Sequence, residues 1–392
     1  MLFLGLSRAV YHVIGAILRL FRLSNVIIFE VEHGARDNAR AVLHEVLRRD
    51  WNKRYRIILL SDDPGSIQLR RIKRVTVLKR IEYGDSWFAK MRMRWLHLRA
   101  CLIIDENKQI KKKNPKSIHV FLTHGSPLKD TRGYYTCTED TDYALCQSEF
   151  WRPIVSYKSP VPPERRVILG QPRNDALFNS PASLKELFEE QYKKVVVWYP
   201  TFRQHKCGAI VQGTDSAPIP IIHNEDAAKK INEIAANYGV LIVVKPHPAQ
   251  DISLVKKLNL DHLKVITDDF FIKHGVTSYE FLGKTDALIT DYSSVIFDYL
   301  LTRKPIALAQ EDYEEYEKKV GFAVDMDLLR SCAVQLNAPQ DFEGFFSDLV
   351  DGNDPLREKR EELMHLTNQY VDGNSTKRVV DWLESLLNTV SE

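Results

Sequence analysis

ALITDYSSVIFDYLL, residues 287–301, begins as an apolar run, ends that run at Asp291, and continues after Tyr-Ser-Ser with the period of an amphipathic helix. A strand followed by a short turn and a helix is the repeating unit of a parallel sheet covered by helices. The first amides of a helix are unpaired and carry partial positive charge, so Ser293, Ser294 and those amides can receive phosphate oxygens. In the simpler interpretation, a serine at this place is only the helix N-cap.

The same succession of strand and helix recurs through the chain, with helices predicted at 38–49 and 224–238. A Pro-rich stretch at 159–166 and a polar stretch at 179–194 separate two groups of apolar runs. The pattern therefore predicts two α/β lobes in tandem, each built on a parallel sheet. The predicted strands are 25–30, 55–61, 74–79, 101–105, 118–124, 143–147 and 166–170 in the first group, and 194–200, 239–247, 264–268, 287–291 and 305–310 in the second.

Composition limits the class of protein. The chain has 392 residues, 44% of them hydrophobic, which is enough to bury two cores and argues against disorder. Five scattered cysteines without a CxxC spacing indicate a reducing compartment and no zinc site. Residues 1–120 hold 25 Lys and Arg against 11 Asp and Glu, so the amino-terminal third is suited to an anionic partner.

The first 24 residues predict a basic amphipathic helix that lies on a membrane surface. Arg8, His12, Arg19 and Arg22 share one helical stripe, and they interrupt the apolar run that a membrane-spanning helix would need. The other interpretation is a first helix that packs on the protein's own core, with its basic stripe in solvent.

Two more basic clusters, at 90–99 and 108–113, strengthen the expectation of an anionic membrane surface. No nucleic-acid-binding motif accompanies these charges, so nucleic acid is not an expected partner.

Candidate functional side chains follow five of the predicted strands, where ligands of such folds bind. Histidine, lysine, arginine and hydroxyl groups with few candidate metal ligands point to a diphosphate-bearing substrate bound without a metal. Each stretch alone also has an ordinary structural explanation. The stretches are THGSPLKD (123–130) with His124, Ser126 and Lys129, GQPRND (170–175) with Arg173, PTFR (200–203) with Thr201 and Arg203, KPHP (245–248) with Lys245 and His247, and TDYSS (290–294), which Asp298 follows by one turn.

Several stretches resemble the CDP-glycerol glycerophosphotransferase family, whose members build polyol phosphate polymers of the teichoic-acid type. The resemblance runs in order over about residues 100–330 and is most specific over 285–322. Family members often have Thr where Ser126 stands and Trp where Thr123 stands. The stretches are HGSPLK (124–129), QSEFW (147–151), GQPRND (170–175), PTFR (200–203), KPHP (245–248), LITDYSSVIFDYLLTRKPI (288–306) and DYEEYEKKVGF (312–322).

The resemblance implies a GT-B-like α/β fold, two Rossmann-like lobes with a cleft between them. Together with the strand pattern it divides the chain into the membrane-surface helix (1–24), an acceptor-binding lobe (25–180), a CDP-polyol-binding lobe (190–350) and C-terminal helices (351–392) that pack back across the cleft.

The resemblance also implies roles for single residues in an attack by an acceptor hydroxyl on the β-phosphorus of the donor, with release of CMP. His124 is the implied base, and His247 with Lys245 neutralises the donor diphosphate, so the two histidines are expected to converge on one donor. The other implied roles are phosphate seats for Ser293 and Ser294, phosphate contacts for Thr201 and Arg203, a position in the cleft between the lobes for Arg173, and polyol or cytidine contacts for Asp291 and Asp298, with helix capping as the other role of Asp291. Ser126 and Lys129 are further substrate-binding candidates, with Lys129 as a candidate anion ligand beside His124.

We therefore expect an enzyme, with no cofactor and no metal, that transfers glycerol phosphate from CDP-glycerol to an undecaprenyl-diphosphate-linked saccharide. It would act as a peripheral protein at the cytoplasmic face of the cell membrane, in a priming-type single transfer. Two other interpretations stay open: a CDP-ribitol or nucleotide-sugar transferase on the same fold, and a non-catalytic surface protein that binds anionic polymer.

Overall fold

The structure is a computed structural model, and it forms two compact lobes. The N-terminal lobe holds the described residues up to 124, those of 132–173, and 374–391, whereas the C-terminal lobe holds 125–131 and 174–373. The sequence pattern places the passage between lobes at 180–190, a few residues further along the chain. The structure describes residues 22–31, 37–67, 71–80, 86–106, 111–131, 136–155, 159–181, 183–188, 192–201, 203, 206–207, 210–211, 217, 219–246 and 253–391.

The strands of the N-terminal lobe form one seven-stranded sheet in the order β3-β2-β1-β4-β5-β6-β7. Every pairing in it is parallel. The strands are β1 (Ser24–Val31), β2 (Arg56–Ser61), β3 (Val75–Lys79), β4 (Ala100–Asp105), β5 (Ile118–Phe121), β6 (Tyr143–Cys146) and β7 (Arg166–Ile168).

The C-terminal lobe has a six-stranded sheet in the order β12-β11-β8-β13-β14-β15, also parallel throughout. A two-stranded antiparallel hairpin, β9 with β10, lies apart from it. The strands are β8 (Lys194–Tyr199), β9 (Lys206–Cys207), β10 (Ile210–Val211), β11 (Val240–Val244), β12 (Leu263–Val265), β13 (Ala287–Thr290), β14 (Ile306–Ala309) and β15 (Val334–Leu336).

Helices connect the strands in both lobes. None of those in the described part of the chain is long and apolar enough to cross a bilayer. The helices are α1 (Asp37–Arg48), α2 (Trp51–Arg54), α3 (Trp87–Arg99), α4 (Trp151–Ile154), α5 (Asp175–Phe178), α6 (Leu184–Phe188), α7 (Glu225–Tyr238), α8 (Ser253–Leu258), α9 (Asp268–His274), α10 (Ser278–Lys284), α11 (Val295–Tyr299), α12 (Tyr313–Lys319), α13 (Asp327–Arg330), α14 (Asp341–Asp351), α15 (Arg357–Thr367) and α16 (Ser375–Ser391), with short 3₁₀ turns at Pro64–Ser66, Pro163–Arg165, Pro172–Asn174 and Leu300–Thr302.

The central strands are buried on both faces because helices cover both sides of each sheet. All five residues of β11 are buried, and so are all six of β4. Continuous apolar runs, instead of alternation, are the sequence signature of such strands. The predicted class, two α/β lobes on parallel sheets, is confirmed.

The prediction from sequence differs from the structure at several strands. The runs 239–247 and 264–268 are strands only over Val240–Val244 and Leu263–Val265, and the two-residue strands β9 and β10 were not predicted. The run 118–124 forms a strand only as far as Phe121, because Thr123 has φ +59° and turns the chain out of the sheet. The three-residue strand β15 was not predicted, because it is too short and too polar to show a pattern. The predicted helix of residues 1–24 lies outside the described residues except for its last three.

The last helix, α16, packs on the core of the N-terminal lobe through Val379, Val380, Leu383 and Leu387. Its first turn contacts the loop after β7. Thr376 Oγ1 donates to the Pro172 carbonyl oxygen at 3.0 Å.

Glycine is required in that loop, at position 170. Gly170 has φ +80°, and a Cβ on it would come within 2.3 Å of the Ser375 hydroxyl. Both the left-handed backbone and the close approach therefore exclude a side chain at this position.

Candidate active site

In each lobe, polar side chains collect at the carboxyl ends of the strands where the strand order reverses. β8 and β13 are the neighbours at the reversal in the C-terminal lobe, with Tyr199 opposite Thr290 at their carboxyl ends. The loops that follow them are 200–203 and 291–294. Because parallel strands end at one edge of the sheet, these two predicted stretches are brought together, as the fold requires for a binding site.

The carboxylate of Asp291 holds these two loops to each other. It accepts hydrogen bonds from the backbone N–H of Thr201 at 2.9 Å and from the N–H of Tyr292 at 2.6 Å, and it also accepts from the Thr201 hydroxyl. Asp291 is 1% exposed. The structure thus shows that Asp291 joins the two loops, a role that was not predicted, whereas helix capping and a contact with polyol or cytidine stay predictions.

Arg203 is completely buried between two carboxylates. Its Nη1 lies 2.5 Å from Asp291 Oδ2, and its Nη2 lies 3.1 Å from Asp312 Oδ1. Burial alone would lower the pKa of the guanidinium, but the two carboxylates outweigh it and hold the pKa above its ordinary value. The arginine therefore ties the ends of β8, β13 and β14 together, and a direct phosphate contact by Arg203 stays a prediction.

Tyr292 completes this buried network. Its hydroxyl donates to Asp312 Oδ1 at 2.9 Å, and its ring stacks on Tyr316 with 3.7 Å between ring centroids. Burial, and then the neighbouring Asp312 carboxylate, raise the pKa of the Tyr292 hydroxyl well above its ordinary value. Tyr292 is therefore a neutral donor that keeps Asp312 in place for Arg203.

Ser293 and Ser294 are half-buried at the start of the short helix α11. The backbone of Ser294 is already helical, and its hydroxyl makes no capping hydrogen bond within the described residues. The Ser293 hydroxyl contacts the Val295 N–H only at 3.5 Å. The Ser294 side chain therefore does not act as the N-cap of α11. Binding of phosphate oxygens by Ser293 and Ser294 stays a prediction.

Lys129 lies beside this network, in the segment 125–131 that belongs to the C-terminal lobe. The segment is pinned by an antiparallel bridge to Phe322, and Lys129 Nζ lies 5.7 Å from the centroid of the Tyr316 ring. Burial of the ammonium lowers the pKa of Lys129 to about 8, although the Asp291 carboxylate acts in the opposite direction. Lys129 is thus a cation whose charge is lost just above neutral pH.

Two more predicted residues of the C-terminal lobe have structural partners. Lys245 Nζ pairs with Asp268 Oδ1 at 3.2 Å and lies 5.8 Å from the centroid of the Tyr199 ring. Asp298 is buried and accepts from Asn174 Nδ2 at 2.9 Å and from the Tyr279 hydroxyl at 2.6 Å. Asp298 therefore anchors α11 inside its own lobe.

An open cavity of about 730 Å³ adjoins Asp312. Its volume suits a ligand of nucleoside size. Arg330 stacks over the Tyr313 ring, 4.5 Å from its centroid. Acidic side chains would repel phosphate, so this cavity suits the hydroxyl and amino groups of a ligand. It is lined by Ala217, His223, Glu311, Asp312, Tyr313, Glu314, Glu315 and Arg330.

His124 lies in the N-terminal lobe, in the loop after β5. It is half-buried, and its Nδ1 lies 3.2 Å from the carbonyl oxygen of Glu106, which directly follows β4. A carbonyl oxygen can only accept a hydrogen bond, so Nδ1 carries the proton. In the neutral imidazole with this tautomer, Nε2 is the nitrogen that has the lone pair, which is the form that a base requires.

The amide of Asn38, in the first turn of α1, holds the backbone before His124. Asn38 is 0% exposed, and its Nδ2 lies 3.2 Å from the Leu122 carbonyl oxygen and 3.0 Å from that of Thr123. Thr123 is a β-branched residue at φ +59°, a conformation that costs free energy. Asn38 is therefore a positioning residue for the loop that carries His124.

The stretch 170–175 supports the same loop from the other side. Gln171 Nε2 donates to the Thr123 hydroxyl at 3.3 Å, and Arg173 Nη1 donates to the His124 carbonyl oxygen at 3.1 Å. The backbone N–H of Arg173 donates to Asn38 Oδ1 at 3.0 Å. The structure thus gives Arg173 a positioning role inside the N-terminal lobe, and its predicted cleft contact stays a prediction.

Within each lobe, the structure brings predicted stretches together. Not every predicted residue belongs to the part of the chain that the structure describes. His247 lies outside the described residues, so the convergence of the two histidines stays a prediction. Ser126 is buried in the segment that also holds Lys129.

Sequence reasoning missed Asn38, Gln171 and Asp312. Asp312 and Gln171 each stand just after a strand, so the strand-end rule that found Asp291 could have found them. Asn38 carried no such signal, since it reads as an ordinary residue at a helix start.

The fold is similar to the folds of a solved polymerase and a solved epimerase. The structure of the wall teichoic acid polymerase TagF superposes with a TM-score of 0.69 at 16% identity, covering 97% of this chain and 94% of that one. A UDP-GlcNAc 2-epimerase from Neisseria meningitidis, bound to UDP-GlcNAc, has a TM-score of 0.53 at 13% identity and covers 93% of this chain. The predicted GT-B-like class is confirmed.

The chain belongs to the CDP-glycerol:poly(glycerophosphate) glycerophosphotransferase family, which it matches over residues 14–385. It is 24% identical to the teichoic acid glycerol-phosphate primase of Bacillus subtilis over 293 residues, 71% of this chain and 70% of that protein. It is also 24% identical to the teichoic acid ribitol-phosphate primase of Bacillus spizizenii over 416 aligned positions, 98% of this chain and 96% of that protein. The resemblance predicted from the motifs is thus confirmed, and the family is one of teichoic-acid polyol-phosphate primases and polymerases.

Replacing Arg203 by Met is expected to destabilise the protein strongly. It leaves the Asp291 and Asp312 carboxylates buried without their cation, and breaking a buried ion pair in this way costs about 3–5 kcal/mol. The urea midpoint of unfolding should fall accordingly. Arg357→Met is the matched control, because Arg357 pairs with Glu361 on an exposed helix surface and should leave the midpoint unchanged. Equal midpoints for the two variants would show that the network does not stabilise the lobe.

Proposed function

We propose that this protein transfers glycerol phosphate from CDP-glycerol to a hydroxyl group of a lipid-linked saccharide and releases CMP. Family membership supports the polyol-phosphate transfer, and the setting of His124 supports the way in which the acceptor is activated. The acceptor would be an undecaprenyl-diphosphate-linked saccharide at the cytoplasmic face of the membrane, where the protein would act as a peripheral enzyme.

The single observation that carries the mechanism is the contact between His124 Nδ1 and the Glu106 carbonyl oxygen. Since that contact fixes the proton on Nδ1, Nε2 is the nitrogen that would accept the proton of the acceptor hydroxyl. Asn38 and Arg173 hold the backbone on either side of this histidine, so its ring is oriented before substrate binds.

The proposed reaction is a single displacement at phosphorus. The acceptor oxygen forms a bond to the β-phosphorus of the donor while its proton passes to His124 Nε2. The bond between the β-phosphorus and the oxygen that bridges to the α-phosphorus breaks, and CMP leaves with that electron pair. The imidazolium then returns its proton to solvent, so the enzyme needs no covalent intermediate.

The C-terminal lobe would bind the donor, since transfer at phosphorus depends on alignment and charge neutralisation. Lys129, Lys245 and the Ser293–Ser294 pair are the proposed diphosphate contacts, and His247 is proposed to act with Lys245. The carboxylates of Asp291 and Asp312 are occupied by Arg203, which keeps them from repelling the diphosphate. The nucleoside would extend towards the cavity beside Asp312.

We propose glycerol as the polyol and a priming-type single transfer. The relatives from Bacillus subtilis and Bacillus spizizenii, which align over 70% and 96% of their own length, are named primases, one of glycerol phosphate and one of ribitol phosphate. Another relative, which aligns over 78% of its own length, is named a teichoic acid glycerol-phosphate transferase. CDP-ribitol is therefore the second candidate donor.

The purified protein should be incubated with CDP-glycerol, CDP-ribitol and a UDP-sugar, each with a lipid-diphosphate disaccharide acceptor. Nucleotide release, CMP from the two CDP-polyols and UDP from the UDP-sugar, is measured together with the mass of the product. CDP-glycerol should give the fastest release and a product heavier by one glycerol phosphate. A ladder of products would contradict priming, and faster turnover of CDP-ribitol or of the UDP-sugar would contradict the choice of donor. No nucleotide release from any donor would contradict the transferase.

His124→Ala is expected to lower kcat by about 100-fold or more, because it removes the proposed base. CDP-glycerol binding, measured by calorimetry, should be unchanged, since the donor is assigned to the other lobe. His365→Ala is the control, because His365 is exposed on α15 and should keep full activity. A non-catalytic polymer-binding protein would be indifferent to both changes, and full activity of His124→Ala would exclude His124 as the base.

The pH dependence should report on Lys129. Its ammonium loses a proton as the pH rises through about 8, so kcat/KM for the donor should fall above that pH as a positive charge near the diphosphate disappears. Lys129→Arg keeps its charge throughout and should remove this alkaline limb. Lys318→Arg, at an exposed position of α12, should leave the profile as it is in the wild type. If kcat/KM of Lys129→Arg still falls above about pH 8, the fall is caused by another titrating group.

A further inference from the structure

Helix α3 is apolar on two opposite sides. Its inner side packs on the sheet of the N-terminal lobe, where Leu96 is buried and Met93 is partly buried against Val26, Ile28 and Ile58. A helix that covers one face of a sheet normally turns polar side chains outward. In α3 the outward side is aromatic instead.

The outer side of α3 is a continuous exposed stripe. Trp87 is 66% exposed, Phe88 78%, Met91 43% and Trp95 50%. The spacing i, i+1, i+4, i+8 places all four on one side of the helix. Single exposed apolar residues are ordinary, but these four are half of the large exposed hydrophobic side chains in the described residues, and a contiguous apolar stripe marks an interaction surface.

Cations border the stripe on both edges. Lys90 and Arg94 lie along one edge and Arg92 and Arg99 along the other, and α3 contains no acidic residue. The Arg99 guanidinium lies 5.5 Å from the centroid of the Trp95 ring. Arginine and lysine side chains that flank tryptophan and phenylalanine in this way can reach phosphates while the rings enter an apolar layer.

We propose that the outer side of α3 docks on an anionic lipid bilayer, with the aromatic stripe in the boundary between headgroups and acyl chains. An apolar face with tryptophan and phenylalanine, bordered by Lys and Arg, is the composition of helices that lie in a membrane interface. The excess of positive charge in residues 1–120 adds attraction to anionic headgroups. Protein interfaces, by contrast, are depleted in lysine around their apolar centres.

This docking surface is separate from the predicted helix of residues 1–24, because it belongs to a described element that packs on the sheet. It is compatible with a lipid-linked acceptor, but it does not depend on the transfer reaction. Its test therefore needs neither donor nor acceptor.

Binding of the full-length protein to vesicles should be measured by co-sedimentation, with phosphatidylglycerol and phosphatidylcholine mixed or with phosphatidylcholine alone. The wild type should bind the anionic vesicles, and a variant with Trp87→Ser, Phe88→Ser and Trp95→Ser should bind them at least about 10-fold more weakly. A second variant, Arg92→Glu with Arg94→Glu, should lose most of the preference for anionic lipid. Ile272→Ser is the matched control, since Ile272 is 58% exposed on α9 and should leave binding unchanged.

Tryptophan emission locates the contact. Trp51, Trp151 and Trp198 are fully buried, and Trp382 on α16 is half-buried against Tyr143. Trp87 and Trp95 are the exposed tryptophans, so insertion of α3 should appear as a blue shift of their emission. Trp87→Phe with Trp95→Phe should abolish the shift and keep the binding, because phenylalanine still inserts.

Four outcomes would overturn the proposal. They are unchanged vesicle binding by the triple serine variant, binding without any blue shift in the wild type, a self-associated wild type that the triple variant converts to monomer, and preferential binding of a single-stranded oligonucleotide that excludes vesicles. The first two would assign membrane contact to another segment, the third would assign the stripe to a second copy, and the fourth would assign it to nucleic acid.

Discussion

The C-terminal lobe depends on one buried arginine shared by two carboxylates. Arg203, Asp291 and Asp312 follow three neighbouring strands, β8, β13 and β14. Their ion pairs hold the loops after these strands in fixed positions relative to one another. Three charges in the interior cost desolvation free energy, which their mutual attraction and the hydrogen bond from Tyr292 offset. The loops with Thr201, Ser293 and Ser294 start from this fixed frame, so the candidate donor site is organised before any ligand arrives.

In the N-terminal lobe, a side-chain amide takes the place of the buried ion pairs. The Asn38 amide bonds the backbone at Leu122 and Thr123 and receives the N–H of Arg173, which holds a turn that is strained at Thr123. The Arg173 guanidinium adds one charged donor to this support, at the His124 carbonyl oxygen. The loops of the two lobes are thus held by different means, a buried ion-pair network in the C-terminal lobe and mainly a side-chain amide in the N-terminal lobe.

The sequence was sufficient for the lobes and for the stretches that carry the site, because buried parallel strands are continuous apolar runs and the strand ends mark where ligands bind. It was not sufficient for the partners of those residues. Arg203 reads as a phosphate ligand in PTFR, and its pairing with Asp312, 109 residues away, follows only from strand order. Asn38 lies 85 residues from Thr123 in the chain, so its role was equally invisible. The outward aromatic side of α3 was not predicted for another reason, since residues 90–99 were interpreted only as a basic cluster and Trp87 and Phe88 precede that cluster.

We propose that His124 offers Nε2 as the base, with its Nδ1 donating to the Glu106 carbonyl oxygen. Nitrogen NMR of protein labelled with ¹⁵N-histidine measures this directly, with the His124 signals assigned from the spectrum of His124→Gln. At a pH where the imidazole is neutral, we expect a protonated Nδ1 and an unprotonated Nε2 for His124. A proton on Nε2 with a bare Nδ1 would contradict it, because that ring could neither bond the carbonyl oxygen nor accept a proton from the acceptor through Nε2.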